Sequence, residues 1–390
     1  MLVTSSESVE RKMIEKLSFN KSLLYLLPVR SQPRFWKRVQ KMQEAGVGAH
    51  CLYFDRNYHN TRYEYESSQC IGRLQHGNYA SRMVVLMRSA FIVRRCLSHM
   101  DGLYAFGLDM ALLGLLAKLG TGKPLVYEIG DIRKWQISDG IIGKLFRIVE
   151  RWLVGRASVV VVTAQGYADE YYIRRIGTPS DKVRVIENRL TLSPEERPNR
   201  NFLQTRDTPR LAIGYFGLLR CRWSCETLKE IVLQANGRIN VEIHGYPFGV
   251  DIENEVRGLA GIRFHGAYQS PDDLRDLYDS VDIVFACYPA PEDYGKAGNW
   301  VWARTNRFYE SCYFKRPMIG LAKSDEGHVI LKQAIGFVVE PGEPRNVAGK
   351  IIEALSQQGM SNWQANVASL PDEICVYTNE HENLVNAIWQ

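Results

Sequence analysis

Arg304, Arg307 and Glu310 share one short stretch of this 390-residue chain, WARTNRFYESCYFKRPMIG from Trp302 to Gly320. An arginine fork matches a phosphate, and a carboxylate can accept two hydrogen bonds from a vicinal diol. The trio therefore has the chemistry to hold a nucleotide by its phosphates and its ribose. The flanking pattern reads as strand (Asp282–Ala286), long loop (Pro289–Arg304), helix (Thr305–Phe314) and second strand (Met318–Ala322), with Lys315-Arg316-Pro317 turning the chain. Long ordered loops between a strand and a helix are commonly functional. In open parallel sheets ligands sit beyond the carboxyl ends of the strands, facing the N-termini of the helices that follow. Arg304 and Arg307 would add fixed charge to the free backbone N–H groups there. Glu310, one turn after Arg307, also fits a plain surface pair at i, i+3.

Further candidates lie at predicted strand ends. Gly217 and Arg220 or Arg222 follow the strand Leu211–Phe216, in a loop where a glycine lets backbone approach phosphate. His244 and Tyr268 follow later strands and could face a nucleotide base; a satisfied structural histidine fits His244 equally. In the first half, Arg30 lies in the loop Pro28–Pro33, with Arg34 just beyond it, a place for an acceptor or a phosphate. Asp131 falls just after the strand Pro124–Ile129, with Glu128 and Arg133 beside it. A carboxylate at that position can take a proton from an attacking hydroxyl, or it can cap a helix or pair with Arg133. No acidic cluster has the spacing of metal ligands. A diphosphate would be neutralised by arginines and a helix dipole, with no metal ion and no cofactor expected.

The elements that must position these residues follow an alternating order. Ser22–Leu27, Val47–Phe54, Gly102–Phe106, Pro124–Ile129 and Ser158–Thr163 read as strands, separated by helical stretches such as Arg82–Leu97 and Leu108–Leu119; Arg56–Arg73 reads as irregular. The segment Thr191–Pro209 has a linker composition, after which the pattern restarts at Leu211 with a helix from about Glu226. Alternation of this kind predicts an α/β fold of two Rossmann-like, doubly wound parallel-sheet domains facing each other across a cleft. The first is expected over residues 1–200, with a terminal helix at 380–390 returning to it, and the second over 205–375.

Composition narrows the classes. The eight cysteines show no CxxC and no zinc spacing, which suits reduced, cytoplasmic thiols. The polar first twenty residues predict no signal peptide, and no apolar run reaches the ~18 residues that span a bilayer. Charge is asymmetric: residues 1–200 hold 31 Lys/Arg against 19 Asp/Glu, whereas the remainder hold 18 against 24. Cationic and apolar residues interleave at Pro33–Met42, Arg88–Leu97 and Lys144–Arg156. Such stretches suit an anionic membrane surface or an acidic substrate, or they are solvated helix faces packed on a core; no nucleic-acid motif accompanies them.

Five segments in order resemble one family: IGYFG (213–217), VEIHGYP (241–247), LRDLYDSVDIVFACYP (274–289), NRFYESCYFKRPMIG (306–320) and IGFVVEPGEP (335–344). They resemble glycosyltransferases of the two-Rossmann GT-B architecture, in particular the family 4-like group that builds bacterial polysaccharides and lipopolysaccharides. The resemblance covers nearly the whole chain. It implies that the helix at 306–314 contacts the diphosphate and ribose of a nucleoside-diphosphate sugar, a UDP-sugar being favoured. Retaining members carry a second glutamate eight positions before the one matching Glu310, where this chain has Trp302. LVYEIGD at 125–131 resembles the strand-end segment of the xanthan-pathway glucuronosyltransferase, an inverting enzyme whose matching aspartate is the proposed base. The implied activity is inverting transfer to a lipid-linked or saccharide acceptor at the inner membrane face, with Asp131 as base. A non-catalytic subunit that binds a polysaccharide-assembly partner and a nucleotide-sugar epimerase are the alternatives. A dinucleotide dehydrogenase is not expected, because no GxGxxG follows either domain's first strand.

Overall fold

Runs such as Lys21–Leu27, Leu125–Ile129 and Val159–Val162 carry large or β-branched apolar side chains at nearly every position, the pattern of strands buried on both faces. In the computed structural model, which describes residues 19–30, 32–55, 67–73, 79–198, 210–288, 298–357 and 360–390, they are the central strands of two parallel sheets. The chain forms two units, Met1–Glu187 with Thr378–Gln390, and Asn188–Tyr377.

The first unit holds β1 (Lys21–Leu27), β2 (Val47–Asp55), β3 (Ser68–Arg73), β4 (Gly102–Phe106), β5 (Leu125–Ile129), β6 (Val159–Val162) and β7 (Val183–Val185), in the order β3-β2-β1-β4-β5-β6-β7. Its helices include α1 (Pro33–Glu44), α2 (Tyr79–Leu97), α3 (Leu108–Lys118), α4 (Lys134–Ile137), α5 (Ile141–Arg156) and a π-helix at Tyr167–Ile176. The second unit holds β8 (Leu211–Leu219), β9 (Ile239–Pro247), β10 (Ile262–Phe264), β11 (Ile283–Phe285), β12 (Met318–Leu321) and β13 (Gly336–Val339), in the order β10-β9-β8-β11-β12-β13. Its helices include α6 (Arg222–Gln234), α7 (Asn306–Tyr313) and α8 (Asp325–Lys332). Strand order reverses between β1 and β4 and again between β8 and β11, and ligands of doubly wound sheets bind at such reversals. Successive β8 residues feed opposite cores: Ile213 and Tyr215 join Ile231, Val241 and Ile283 on one face, and Ala212 and Phe216 join Tyr278, Phe308 and Met318 on the other.

Three readings of the elements change. Ser68–Arg73, expected to be irregular, is the edge strand β3; its half-exposed SQCIGR carries no apolar alternation to mark it. Gly217, expected in a loop, lies inside β8, which continues to Leu219 because it pairs with β9 in register, Gly217 opposite Gly245. The helix expected from about Glu226 begins at Arg222. Residues 1–18 of the expected lead-in fall outside the described residues.

The first unit is closed by α9 (Glu380–Trp389) through a buried charge network. Arg38 on α1 donates from Nε to Glu128 Oε2 at 2.9 Å and from Nη2 to the Ile186 carbonyl at 3.2 Å. Its Nη1 lies 2.6 Å from Nε2 of His381 on α9. A guanidinium can only donate, so that imidazole nitrogen accepts and the ring is neutral. Burial, with Arg38 and Lys41 adding repulsion, pushes the His381 pKa down to about 2. An unfolded histidine takes its proton near 6.5, so this group's contribution is complete above that pH and is lost as pH falls below it. The loss amounts to about 1.4 kcal/mol per pH unit. Denaturant titrations should show stability falling from pH 6.5 towards 4 and a flatter fall in His381→Gln; equal slopes for the two proteins would refute this linkage.

Candidate functional site

In the second unit the reversal point is occupied by Arg307. Thr305 caps α7, its Oγ1 accepting from the Phe308 N–H at 3.2 Å, which sets Arg307 in the first turn. The guanidinium lies between two rings, 5.2 Å from the centroid of Tyr215 on β8 and 5.0 Å from that of Tyr288, which follows β11. Its Nη1 is buried and has no hydrogen-bond partner among the described residues. A buried guanidinium nitrogen with nothing to donate to is costly, and it marks a place for an acceptor. Gly217 opens the approach: a Cβ there would meet nothing nearer than Arg307 Nε, at 4.0 Å. The backbone must also lie tight at this point, since a Cβ on Gly245 would fall 1.8 Å from the Gly217 carbonyl oxygen, and Gly217 has a φ of +107°.

The neighbours of Arg307 are a carboxylate pair and a tyrosine cluster. Glu310 is buried, and its Oε2 accepts from the Tyr278 hydroxyl at 2.8 Å. Tyr268 lies close enough that burial, Glu310 and Arg307 all act on its hydroxyl, with the net effect of raising its pKa. Glu326 on α8 accepts from the Thr305 N–H at 2.7 Å, and burial holds its carboxyl above the usual range against the pull of that bond and of Arg307 and Arg304. His244 lies in β9, half-buried and stacked on His265 at 4.2 Å; burial and the second ring lower its pKa to about 4, so it is uncharged at neutral pH. His265 in turn reaches Glu242 at 2.6 Å.

Two of the arginines expected around a ligand do other things. Arg304 pairs with Asp325 at 2.6 Å and so ties the start of α7 to α8. Arg222 is exposed at the first turn of α6, where its Nε donates to Glu226 at 2.8 Å, one turn along. Arg220 is exposed just after β8. Glu292 and Asp293, the acids of the expected loop Pro289–Arg304, lie outside the described residues.

In the first unit Asp131 is exposed two residues beyond β5. The N-cap of the next helix, α4, is Arg133, whose N–H donates to Gln136 Oε1 at 2.8 Å, so Asp131 does not cap it. Glu128, expected on the acceptor side, is instead enclosed. It accepts from Tyr104 and Arg38, and Arg34 Nε lies 3.9 Å from its other oxygen. Arg34 matters more than its sequence position suggested. Its guanidinium fills the space over Gly130, where a Cβ would fall 1.2 Å from Nη1, which sets it beside the residue preceding Asp131. Arg30 stands over the Tyr53 ring at 5.5 Å. Glu326, Tyr215 and Tyr288 were not legible as neighbours of Arg307, and the sequence places Arg34 only as lying just beyond the Pro28–Pro33 loop. Among the described residues no group of three His, Cys, Asp or Glu side chains is placed to hold a metal ion.

Comparison with known proteins bears on both units. Residues 39–189 match the family model of the glycosyl transferase 4-like domain. The succinoglycan biosynthesis protein ExoL of Rhizobium meliloti (strain 1021) is 28% identical over 296 residues, covering 71% of this chain and 70% of ExoL. Among solved structures, Anabaena Alr3699/HepE in complex with UDP superposes with a TM-score of 0.66 at 13% identity, over 94% of this chain and 99% of that one. A glycosyltransferase from Rickettsia africae ESF-5 does so with a TM-score of 0.66 at 14% identity, over 95% and 98%. The lipopolysaccharide outer core galactosyltransferase WaaB has a TM-score of 0.61 at 12% identity, over 94% and 99%. The fold is the two-domain GT-B fold of these glycosyltransferases, and residues 39–189 carry the glycosyl transferase 4-like domain.

Proposed function

We propose that the enzyme transfers a sugar from a nucleoside-diphosphate donor, a UDP-sugar first, to a lipid-linked or saccharide acceptor in bacterial polysaccharide assembly, at the cytoplasmic face of the inner membrane. The observation that carries the donor reading is the buried Nη1 of Arg307 at the β8/β11 reversal, which has no hydrogen-bond partner among the described residues and is opened by Gly217. A diphosphate supplies the missing acceptor, and the guanidinium in turn stabilises the charge that grows on the leaving group. Glu310, one turn along α7, is the carboxylate for the ribose. The relatives support this reading: HepE was solved with UDP and with UDP-glucose, ExoL is named for succinoglycan biosynthesis and WaaB for the lipopolysaccharide outer core. Binding is proposed to need no metal ion. Isothermal titration with UDP in the presence of chelator should give binding that Arg307→Ala weakens by roughly 1.5–3 kcal/mol, the scale of a charge-assisted hydrogen bond. Undiminished affinity would remove Arg307 from the site.

The chemical part of the proposal is a single displacement. The acceptor hydroxyl forms a bond to the anomeric carbon, the bond to the diphosphate oxygen breaks, and the hydroxyl proton goes to Asp131, so the configuration inverts. Glu128 is already committed to Arg38 and Tyr104, whereas Asp131 is exposed at a strand end. A tryptophan, Trp302, stands where retaining relatives have their second acid. A positioned base contributes ~10²–10⁴ in rate, so Asp131→Asn should lose about that much turnover while UDP affinity and melting temperature stay near wild type. A product that keeps the donor's anomeric configuration, read by NMR, would overturn the assignment. Product formed from the donor without any acceptor would point to epimerisation instead.

A further inference from the structure

Helix α5 (Ile141–Arg156) is amphipathic the wrong way round. Its buried face carries Gly143, Arg147 and Glu150 before reaching Leu153 and Val154. Its solvent face carries Ile141, Ile142, Leu145, Ile148, Val149 and Trp152, with Ile141 and Ile142 being 78% and 66% exposed and Leu145 and Ile148 more than half. At 100° per residue these six fall within an arc about 120° wide, a continuous apolar stripe.

The inward polar groups are all in use. A Cβ at position 143 would lie 2.3 Å from the Ser138 carbonyl oxygen, so α5 abuts the backbone of α4. Arg147 Nη1 donates to the carbonyls of Gln136 at 2.7 Å and Ser138 at 2.6 Å. Glu150 accepts from the hydroxyls of Tyr127, Tyr171 and Tyr172 and from Gln136 Nε2, and Gln136 in turn accepts from the Arg133 N–H. The inner face of α5 thus clamps the segment that follows Asp131, and its apolar residues are left outside.

We infer that this outer face docks on an anionic lipid bilayer. The inference rests on the lipid-linked acceptor proposed above and names the surface that would meet it. Charge selects this occupant. The exposed charges on α5 are Lys144, Arg151 and Arg156, all positive, while the helix's one acid, Glu150, is buried. A second copy of the same face would bring like charges together, whereas anionic headgroups complement them. Arg156 lies over the Trp152 ring at 4.2 Å, a pairing of aromatic and cation suited to the headgroup level. Neighbouring helices also expose apolar side chains: α3 packs beside α5 and α2 beside α3, and they expose Leu116 and Phe91 respectively. No described helix is long and apolar enough to cross a membrane, so contact on this face is interfacial.

The test is co-sedimentation of the full chain with vesicles of phosphatidylcholine alone and of phosphatidylcholine mixed with phosphatidylglycerol, with UDP affinity titrated in parallel. The mixed vesicles should bind the protein, less so as salt rises, and the Ile142→Glu/Ile148→Glu protein should bind at least tenfold more weakly at unchanged melting temperature and UDP affinity. Ile142→Ser/Ile148→Ser, the milder pair, should show a smaller loss in the same direction, and Lys144→Glu should weaken binding to the mixed vesicles only. Equal binding of wild type and both double variants, equal binding to the two vesicle types, or no binding at all would overturn the inference. So would a dimer that Ile148→Glu converts to monomer. Failure to bind UDP would instead count against the donor reading, independently of the vesicle result.

Discussion

A guanidinium enclosed by two tyrosine rings, with one nitrogen that has no acceptor among the described residues, is the constraint on which the second unit turns. Burying a charge without a hydrogen-bond partner is opposed by several kcal/mol unless neighbours compensate. Tyr215 and Tyr288 offer only ring faces, and Glu326 acts at a distance while it accepts from the Thr305 N–H. The local fold keeps the charge in place all the same: Thr305 fixes the start of α7, Asp325 holds Arg304 out of the way, and two glycines in register let β8 and β9 run long and close beneath it. The arrangement is tied down around the guanidinium and leaves its Nη1 without an acceptor among the described residues.

The first unit solves the opposite problem. Its buried carboxylates are matched: Glu128 by Arg38 and Tyr104, and Glu150 by three tyrosines and a glutamine. Networks of this kind stiffen a structure when complete, and losing one member leaves the others unpaired in a medium of low dielectric constant. Both networks border the Gly130–Asp131 segment, one through Arg34 and the other through Gln136. The exposed carboxylate is therefore carried on backbone that is held from two sides.

Much of this was readable in advance. Strand runs such as SVVVVT are apolar on both faces, and their alternation with helices leaves few topologies besides the doubly wound sheet. The position of Arg307 in the first turn of a helix after a strand was legible from the sequence. The rings around it were not, since Tyr215 lies on β8 and Tyr288 follows β11, and only the sheet order brings those two strands together. Glu128 was misread because a strand-end carboxylate looks the same in sequence whether it faces solvent or a buried arginine. Helix α5 was ambiguous for a sharper reason: periodicity reports that one face is apolar, not which way it points, and the rule that apolar faces turn inward fails when the other face is Gly143, Arg147 and Glu150.

The second unit is inserted within the first. The chain leaves the first unit at Glu187 and re-enters it at Thr378, and the ends of the insert are fastened together where Leu190 pairs with Val376 as an isolated parallel bridge. A ribosome therefore delivers the whole second unit before the segment that supplies His381. Until then Arg38 lacks one of its acceptors. The order of synthesis makes the unit encoded first the one completed last, and a nascent chain stalled before Thr378 would carry a complete second unit attached to a first unit that still lacks α9.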